Sequence, residues 1–205
     1  VFDTNYKKYL KELKKQNIIF NALHGGIGEN GKIQSWLDEN DIKYTGSGAV
    51  ASSLCMDKAA SKEIAKRNGI ETPSWQLIQK VNQEVKITLP FVVKPNDQGS
   101  TVGLSIVKND KFIQPAIDLA FKHGNKVIIE KFISGRELTI PIINEDAYPI
   151  VEINPKNNYY DYECKYTPGM SEYTCPADIE QSLVEKIEAN TMQLFQKFDC
   201  SVYAR

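Results

Sequence analysis

Lys94 stands at the end of an apolar run, Phe91-Val92-Val93, and is followed at once by Pro95. An ammonium group loses hydration where it closes a buried strand, so lysine is uncommon there. Just beyond lies Gly99-Ser100-Thr101-Val102-Gly103, a bendable segment carrying two hydroxyls. A point charge beside a loop of backbone N–H groups and hydroxyls suits phosphate oxygens. A β-hairpin with a lysine at its solvent edge explains this stretch equally well by itself. The pattern is neither GxxxxGK(S/T) nor GxGxxG, which argues against P-loop and Rossmann phosphate sites.

Further groups share this character. Glu130 ends the apolar strand "KVIIEKFI", and Glu137 opens the next, "ELTIPII". Carboxylates at strand ends can accept from an exocyclic amine or from ribose hydroxyls, and plain surface charge fits them about as well. His24 follows the apolar segment "NIIFNAL" and enters the glycine-rich "HGGIGENG". A lone histidine is more often a structural hydrogen-bond partner, but the carboxyl end of a strand is where α/β proteins bind ligands. Lys165 and Tyr166 sit in "DYECKYTPGMSEY", within a long polar stretch, and loops of that length usually cover something.

The pattern along the chain predicts the elements that must hold these groups. Residues 5–15 place Tyr6, Tyr9, Leu10 and Leu13 on one helical face. Segments 17–23 and 42–46 read as short strands, the first buried, with a helix over 32–39 between them. Residues 47–70 read as one helix, stopped by a glycine with Pro73 beyond. Strands are expected at 75–79, 90–95, 102–107, 126–133, 137–143 and 148–153, with a helix near 111–123. Residues 154–177 show no period and are expected to form a long ordered loop; 179–198 is an amphipathic helix, and Ser201–Arg205 reads as the opening of another strand.

The chain has 205 residues, 41% hydrophobic and 25% charged, with a formal net charge of −1. That balance is ordinary for a protein with a real core and points to neither nucleic acid nor a membrane surface. No apolar stretch approaches the roughly 18 residues that span a bilayer. Cys55, Cys164, Cys175 and Cys200 show no metal-like or CxxC spacing and read as reduced thiols of a cytosolic protein. Cys164 stands out among them for its tyrosine-rich polar surroundings.

Taken in order, "ALHGGIGENGKIQ", "YTGSGAVASSLCMDKAASKEIAKRNGIETP", "FVVKPNDQGSTVG", "IIEKFISGRELTIPII" and "YYDYECKYTPGMSEYTCPA" resemble the D-alanine–D-alanine ligase family of the ATP-grasp superfamily, and the likeness covers essentially the whole chain. The resemblance implies an α/β (α+β) ATP-grasp fold. Its parts would be residues 1–46 of an N-terminal α/β substrate domain, a central subdomain over 47–130 with a glycine-rich lid, and a C-terminal subdomain over 131–205 with a covering loop. It implies that Lys58 and Lys94 hold the ATP phosphates and that Ser100, Thr101 and Val102 belong to the lid. Glu130, Lys131 and Ile133 would meet adenine, and Glu137 the ribose. His24 and Glu29 would lie at the first D-alanine. Lys165 would touch the γ-phosphate, Ser100 and Tyr166 would close the site, and Arg205 would stabilise the oxyanion of the tetrahedral intermediate.

The implied reaction is phosphorylation of one D-alanine carboxylate by ATP and attack by the amine of a second, supplying D-Ala-D-Ala for peptidoglycan. The implied setting is cytoplasmic, with a homodimer at full length and no nucleic-acid or membrane partner. The resemblance implies that Tyr166 goes with D-alanine rather than D-lactate as acceptor. Thr101 stands where the family often has a second serine. The family's Mg²⁺ ligands would fall after Arg205, and an acidic residue that orients the substrate amine would precede Val1, so the chain reads as a ligase fragment, probed best by the genomic sequence on both sides. Two other readings remain: another ATP-grasp carboxylate–amine ligase, and a non-catalytic nucleotide-binding fragment.

Overall fold

The structure is a computed structural model that describes residues 5–157 and 162–205. Its first part is a 3-10 turn over Tyr6–Tyr9 that runs into the short helix α1 (Leu10–Leu13), then α2 (Lys32–Asp38) after the glycine loop. Tyr6 meets Trp36 edge-on with ring centroids 4.9 Å apart, and Ile33, Leu37 and Ile42 complete a small cluster. The expected strands at 17–23 and 42–46 reduce to a single parallel bridge, Ile19 to Tyr44. The first is not buried either: Phe20 is 74% exposed, because no described element packs over that side.

The helix expected over 47–70 is two helices, α3 (Ala49–Met56) and α4 (Lys58–Arg67). Asp57 separates them in an extended conformation, and its carboxylate accepts from the Ala60 backbone N–H at 2.9 Å. An aspartate able to cap favours starting a new helix over continuing the old one. Gly31 keeps the α2 start close to α3: it has φ +86°, and a Cβ there would come within 2.3 Å of the Ala49 carbonyl oxygen.

The main sheet has the order β1-β4-β2-β3, all antiparallel, from β1 (Trp75–Ile78), β2 (Phe91–Pro95), β3 (Ser105–Val107) and, beyond helix α5 (Ile113–Phe121), β4 (Val127–Lys131). Strand β2 alternates: Phe91, Val93 and Pro95 are buried, while Val92 and Lys94 take the other face. Phe91 and Val93 pack with Ile78, Val127 and Ile129 against Ala116, Ile117 and Ala120 of α5. Each large side chain so enclosed contributes about 1.5–3 kcal/mol. The strand expected from residue 102 pairs only from Ser105, since Ser100 and Thr101 turn through left-handed conformations, φ 52° and 62°.

Two small antiparallel sheets follow. One is β5 (Glu137–Thr139), β8 (Val151–Pro155) and β9 (Ser171–Thr174) in the order β5-β8-β9. The other joins β6 (Ile142–Ile143), β7 (Asp146–Ala147) and β10 (Tyr203–Ala204) in the order β10-β6-β7. The single strand expected over 137–143 is thus split between sheets at Pro141, whose nitrogen has no proton for a ladder. The stretch 154–177 is not all loop: it holds helix α6 (Tyr162–Tyr166) and β9, although 158–161 lie outside the described residues. The long helix α7 (Gln181–Lys197) lays Val184 and Ile187 on Ile140, Ile150 and Ala177. Among the described residues no helix is long and apolar enough to cross a membrane.

Candidate functional site

Two cavities gather the residues singled out by the sequence. The first, about 520 Å³, is built on the main sheet. Because Val92 and Lys94 share the face opposite the core, and Glu130 pairs with Val92 across the ladder, Lys94 and Glu130 meet diagonally on that face. Their side chains form a salt bridge, and the other Glu130 oxygen takes the Lys62 ammonium at 3.0 Å. Burial alone would raise the Glu130 carboxyl, but the charge and hydrogen bond of Lys94, with those of Lys62, outweigh it and hold the group below its ordinary range.

Lys58 enters the same cavity from the first turn of α4. Its ammonium donates to the Gln98 carbonyl at 2.6 Å and the Asn96 carbonyl at 3.3 Å. Asn96 is only 1% exposed, and its side-chain oxygen accepts from the Ala59 N–H at 2.9 Å. Asn96 therefore fastens the helix that starts at Lys58 to the end of the strand that delivers Lys94. Burial, then the charge of Lys94, push Lys58 down to about 8. Two cations pressed together in a half-buried pocket gain when an anion joins them.

The loop Gly99–Gly103 forms the roof. A Cβ on Gly103 would come within 2.9 Å of His123 and 3.0 Å of Pro95, so only glycine lets the roof settle on the end of β2. Helix α6 latches it from the other side. Lys165 donates to the Thr101 hydroxyl at 2.9 Å, and the Ser100 and Tyr166 hydroxyls lie 3.0 Å apart. Val102, Lys131, Ile133, Glu137 and Lys165 also line this cavity. The Lys131 ammonium turns away to the Leu89 carbonyl at 3.1 Å, and Ile133 is 63% exposed at the rim.

The second cavity, about 720 Å³, is built from loops and holds His24, Glu29 and Arg205. His24 and Glu29 approach to 3.8 Å, a pair that is ionic only when His24 is protonated; the His24 side chain is 86% exposed. Gln34 steadies the glycine loop by donating to the Gly28 carbonyl at 2.9 Å. Tyr203 closes the opposite wall, its hydroxyl donating to the Asn21 carbonyl at 2.8 Å. The cavities approach each other where Gly99 faces Glu29. Tyr166 lines neither cavity and meets the roof of the first through the Ser100 hydroxyl.

Sequence reasoning missed Asn96, Lys62 and the Cys55–Cys200 approach. "KPND" contained a signal for the first, since a polar residue directly after a buried strand must find partners for its amide. The sheet-built cavity offers an anionic ligand several lysines, two carboxylates, and apolar lining from Val92, Leu104, Ile106 and Ile133. These residues fit a nucleotide triphosphate. Among the described residues no group of three or more His, Cys, Asp or Glu is set to hold a metal ion.

Residues 58–205 match the family described as the D-ala D-ala ligase C-terminus. The D-alanine–D-alanine ligase of Syntrophotalea carbinolica is 40% identical over 191 residues, covering 92% of this chain and 62% of that protein. The crystal structure of D-alanine–D-alanine ligase from Bacillus anthracis superposes with a TM-score of 0.85 at 32% identity, covering 97% of this chain and 66% of that one. The same enzyme complexed with ATP gives a TM-score of 0.83 at 28% identity, covering 98% of this chain and 66% of that one. The chain thus spans a little under two thirds of the relatives it matches. It belongs to the D-alanine–D-alanine ligase family and has the ATP-grasp fold.

Proposed function

We propose that this chain provides the nucleotide site and part of the amino-acid site of an ATP-dependent ligase that joins two D-alanines. The observation that carries the reading is the sheet-built cavity, where Lys58, Lys94 and Lys165 converge under a loop fastened by Ser100 and Thr101. The lysines hold the phosphates of ATP, and Lys94 exchanges part of its pairing with Glu130 for phosphate oxygens while Lys62 keeps Glu130 neutralised. Glu130 retains lone pairs for the adenine amine, with Lys131 and Ile133 beside the base and Glu137 toward the ribose.

On the loop-built side His24 and Glu29 orient the first D-alanine, whose carboxylate takes the γ-phosphoryl group. Arg205 faces the charge that grows on the carbonyl oxygen as the second amine attacks. The chain's share of catalysis is positioning and neutralisation of charge. Acyl phosphates hydrolyse, so the α6 latch on the lid has a purpose: it keeps water from the reacting carboxyl. Magnesium supplies charge neutralisation between phosphates in such chemistry. The described residues form no site for it, so no step here passes through the ion.

The three apolar clusters support a division into 1–46, 47–130 and 131–205, with the second boundary moved past Lys131 because β4 runs to that residue. The reading also implies a cytoplasmic protein, a homodimer at full length and D-alanine as acceptor. Calorimetry with ATP tests the nucleotide site on this chain directly. Formation of D-Ala-D-Ala by the full gene product, followed by mass spectrometry, tests the reaction; ATP binding without any dipeptide would leave a nucleotide-binding protein and overturn the ligase reading.

A further inference from the structure

Cys55 and Cys200 lie 145 positions apart in sequence, yet their sulfurs approach to 3.7 Å. Both line the loop-built cavity that holds His24, Glu29 and Arg205. Cys55 occupies the last turn of α3 and is exposed; Cys200 is half-buried just after α7. Neither position is loose. Asp199 turns the chain at φ 55°, and the Cys200 N–H donates to the Phe195 carbonyl at 2.9 Å. The next residue is fastened to the segment before α3: the Ser201 N–H donates to the Ser47 hydroxyl at 3.1 Å, and the Ser201 hydroxyl to the Gly46 carbonyl at 3.2 Å. Two thiols are thereby held side by side by contacts that do not involve sulfur. The remaining cysteines differ: Cys164 is 2% exposed, and Cys175 lines neither cavity.

We propose that Cys55 and Cys200 form a reversible dithiol–disulfide site in the wall of the loop-built cavity, oxidised by small-molecule disulfides. The Cys200 thiolate attacks one sulfur of a disulfide RSSR; a mixed disulfide forms and RS⁻ leaves, taking up the proton that Cys200 released. Cys55 then loses its proton and attacks the Cys200 sulfur, expelling the second RS⁻, which is protonated. Two thiols and one RSSR become one protein disulfide and two RSH. A disulfide sets its sulfurs about 2.05 Å apart, so the two must close further from their 3.7 Å approach. Hydrogen bonding with the Cys55 thiol, against the effect of burial, lowers the Cys200 thiol and favours its thiolate as the first nucleophile. In a reducing compartment the pair stays as thiols and closes only when the thiol pool is oxidised. The product would tie α3 to the segment beyond α7 across the cavity that the proposed function assigns to the amino acid.

The test incubates the reduced chain with oxidised glutathione, alkylates remaining thiols and maps them by mass spectrometry. The expected result is loss of two of the four free thiols, no glutathione retained, and joined Cys55 and Cys200 peptides that dithiothreitol separates. Cys55→Ser should keep one glutathione on Cys200, and Cys200→Ser one on Cys55, because neither variant has a second thiol in place to expel it. Buried Cys164 staying unalkylated until denaturant is added checks that each variant is folded. Four free thiols after incubation, glutathione persisting on the unsubstituted chain, or a link through Cys175 would overturn the proposal.

Discussion

The two cavities are made differently. The sheet-built one rests on strands whose core residues are almost wholly enclosed, and it holds its charges partly buried: Lys94 and Lys62 on Glu130, Lys58 on backbone carbonyls. The loop-built one carries its charges in the open, with His24 86% exposed and its contact to Glu29 at 3.8 Å. Desolvated charges are costly unless paired, so groups in the first cavity serve stability and ligand binding together. Exposed groups are screened by water and serve binding with little effect on stability. On the proposed function, the more rigid pocket is the one assigned to the nucleotide and the looser one is assigned to the small substrate.

Substitutions can break that contrast. Glu130→Ala leaves Lys94 and Lys62 without their shared carboxylate and should lower stability by about 3–5 kcal/mol, read from urea unfolding. A loss below about 1 kcal/mol would mean that the pair is solvated like the loop-built groups. Lys94→Ala leaves Glu130 paired with Lys62 and should cost ATP binding about 2–3 kcal/mol, read by calorimetry, with a smaller loss of stability. Wild-type affinity in that variant would remove Lys94 from the phosphates.

The pH dependence sharpens the comparison. Lys58 carries its charge only below a pKa that burial and Lys94 have lowered to about 8. ATP affinity should therefore fall by about ten-fold between pH 7 and pH 9, since each pH unit above a pKa removes about nine tenths of the charged form. A flat profile would show that Lys58 does not meet the phosphates. Tyr166→Phe removes one neutral hydrogen bond from the latch, worth about 0.5–1.5 kcal/mol, and should shift acceptor use of the full gene product toward D-lactate without unfolding it. An unchanged acceptor ratio would leave Tyr166 as a packing residue. His24→Ala should change stability by less than about 0.5 kcal/mol while weakening D-alanine binding; a large stability loss would contradict an open, loop-built site.

Local pattern fixed a good part of this molecule. The apolar run Phe91-Val92-Val93 marked β2 with Lys94 near its end, the apolar run before Glu130 marked β4, and the amphipathic pattern over 179–198 marked α7. These depend on neighbours a few residues away, whose period a single sequence displays. Where a short-range competitor was overlooked the reading failed: the Asp57 cap split one expected helix into two, and Pro141 split one expected strand between two sheets.

What only the tertiary structure decided are meetings between distant residues. The Asn96 side chain reaches Ala59 across 37 positions, the Ser100 and Tyr166 hydroxyls meet across 66, and Cys55 finds Cys200 across 145. No period in the chain encodes such pairs. They arise because burying the faces of β2 and α5 fixes the path of the backbone, and that path then brings side chains together whatever their separation in sequence. The exposure of Phe20 has the same origin: its sequence reads as a core strand, but whether an apolar face is buried depends on whether another element lies over it.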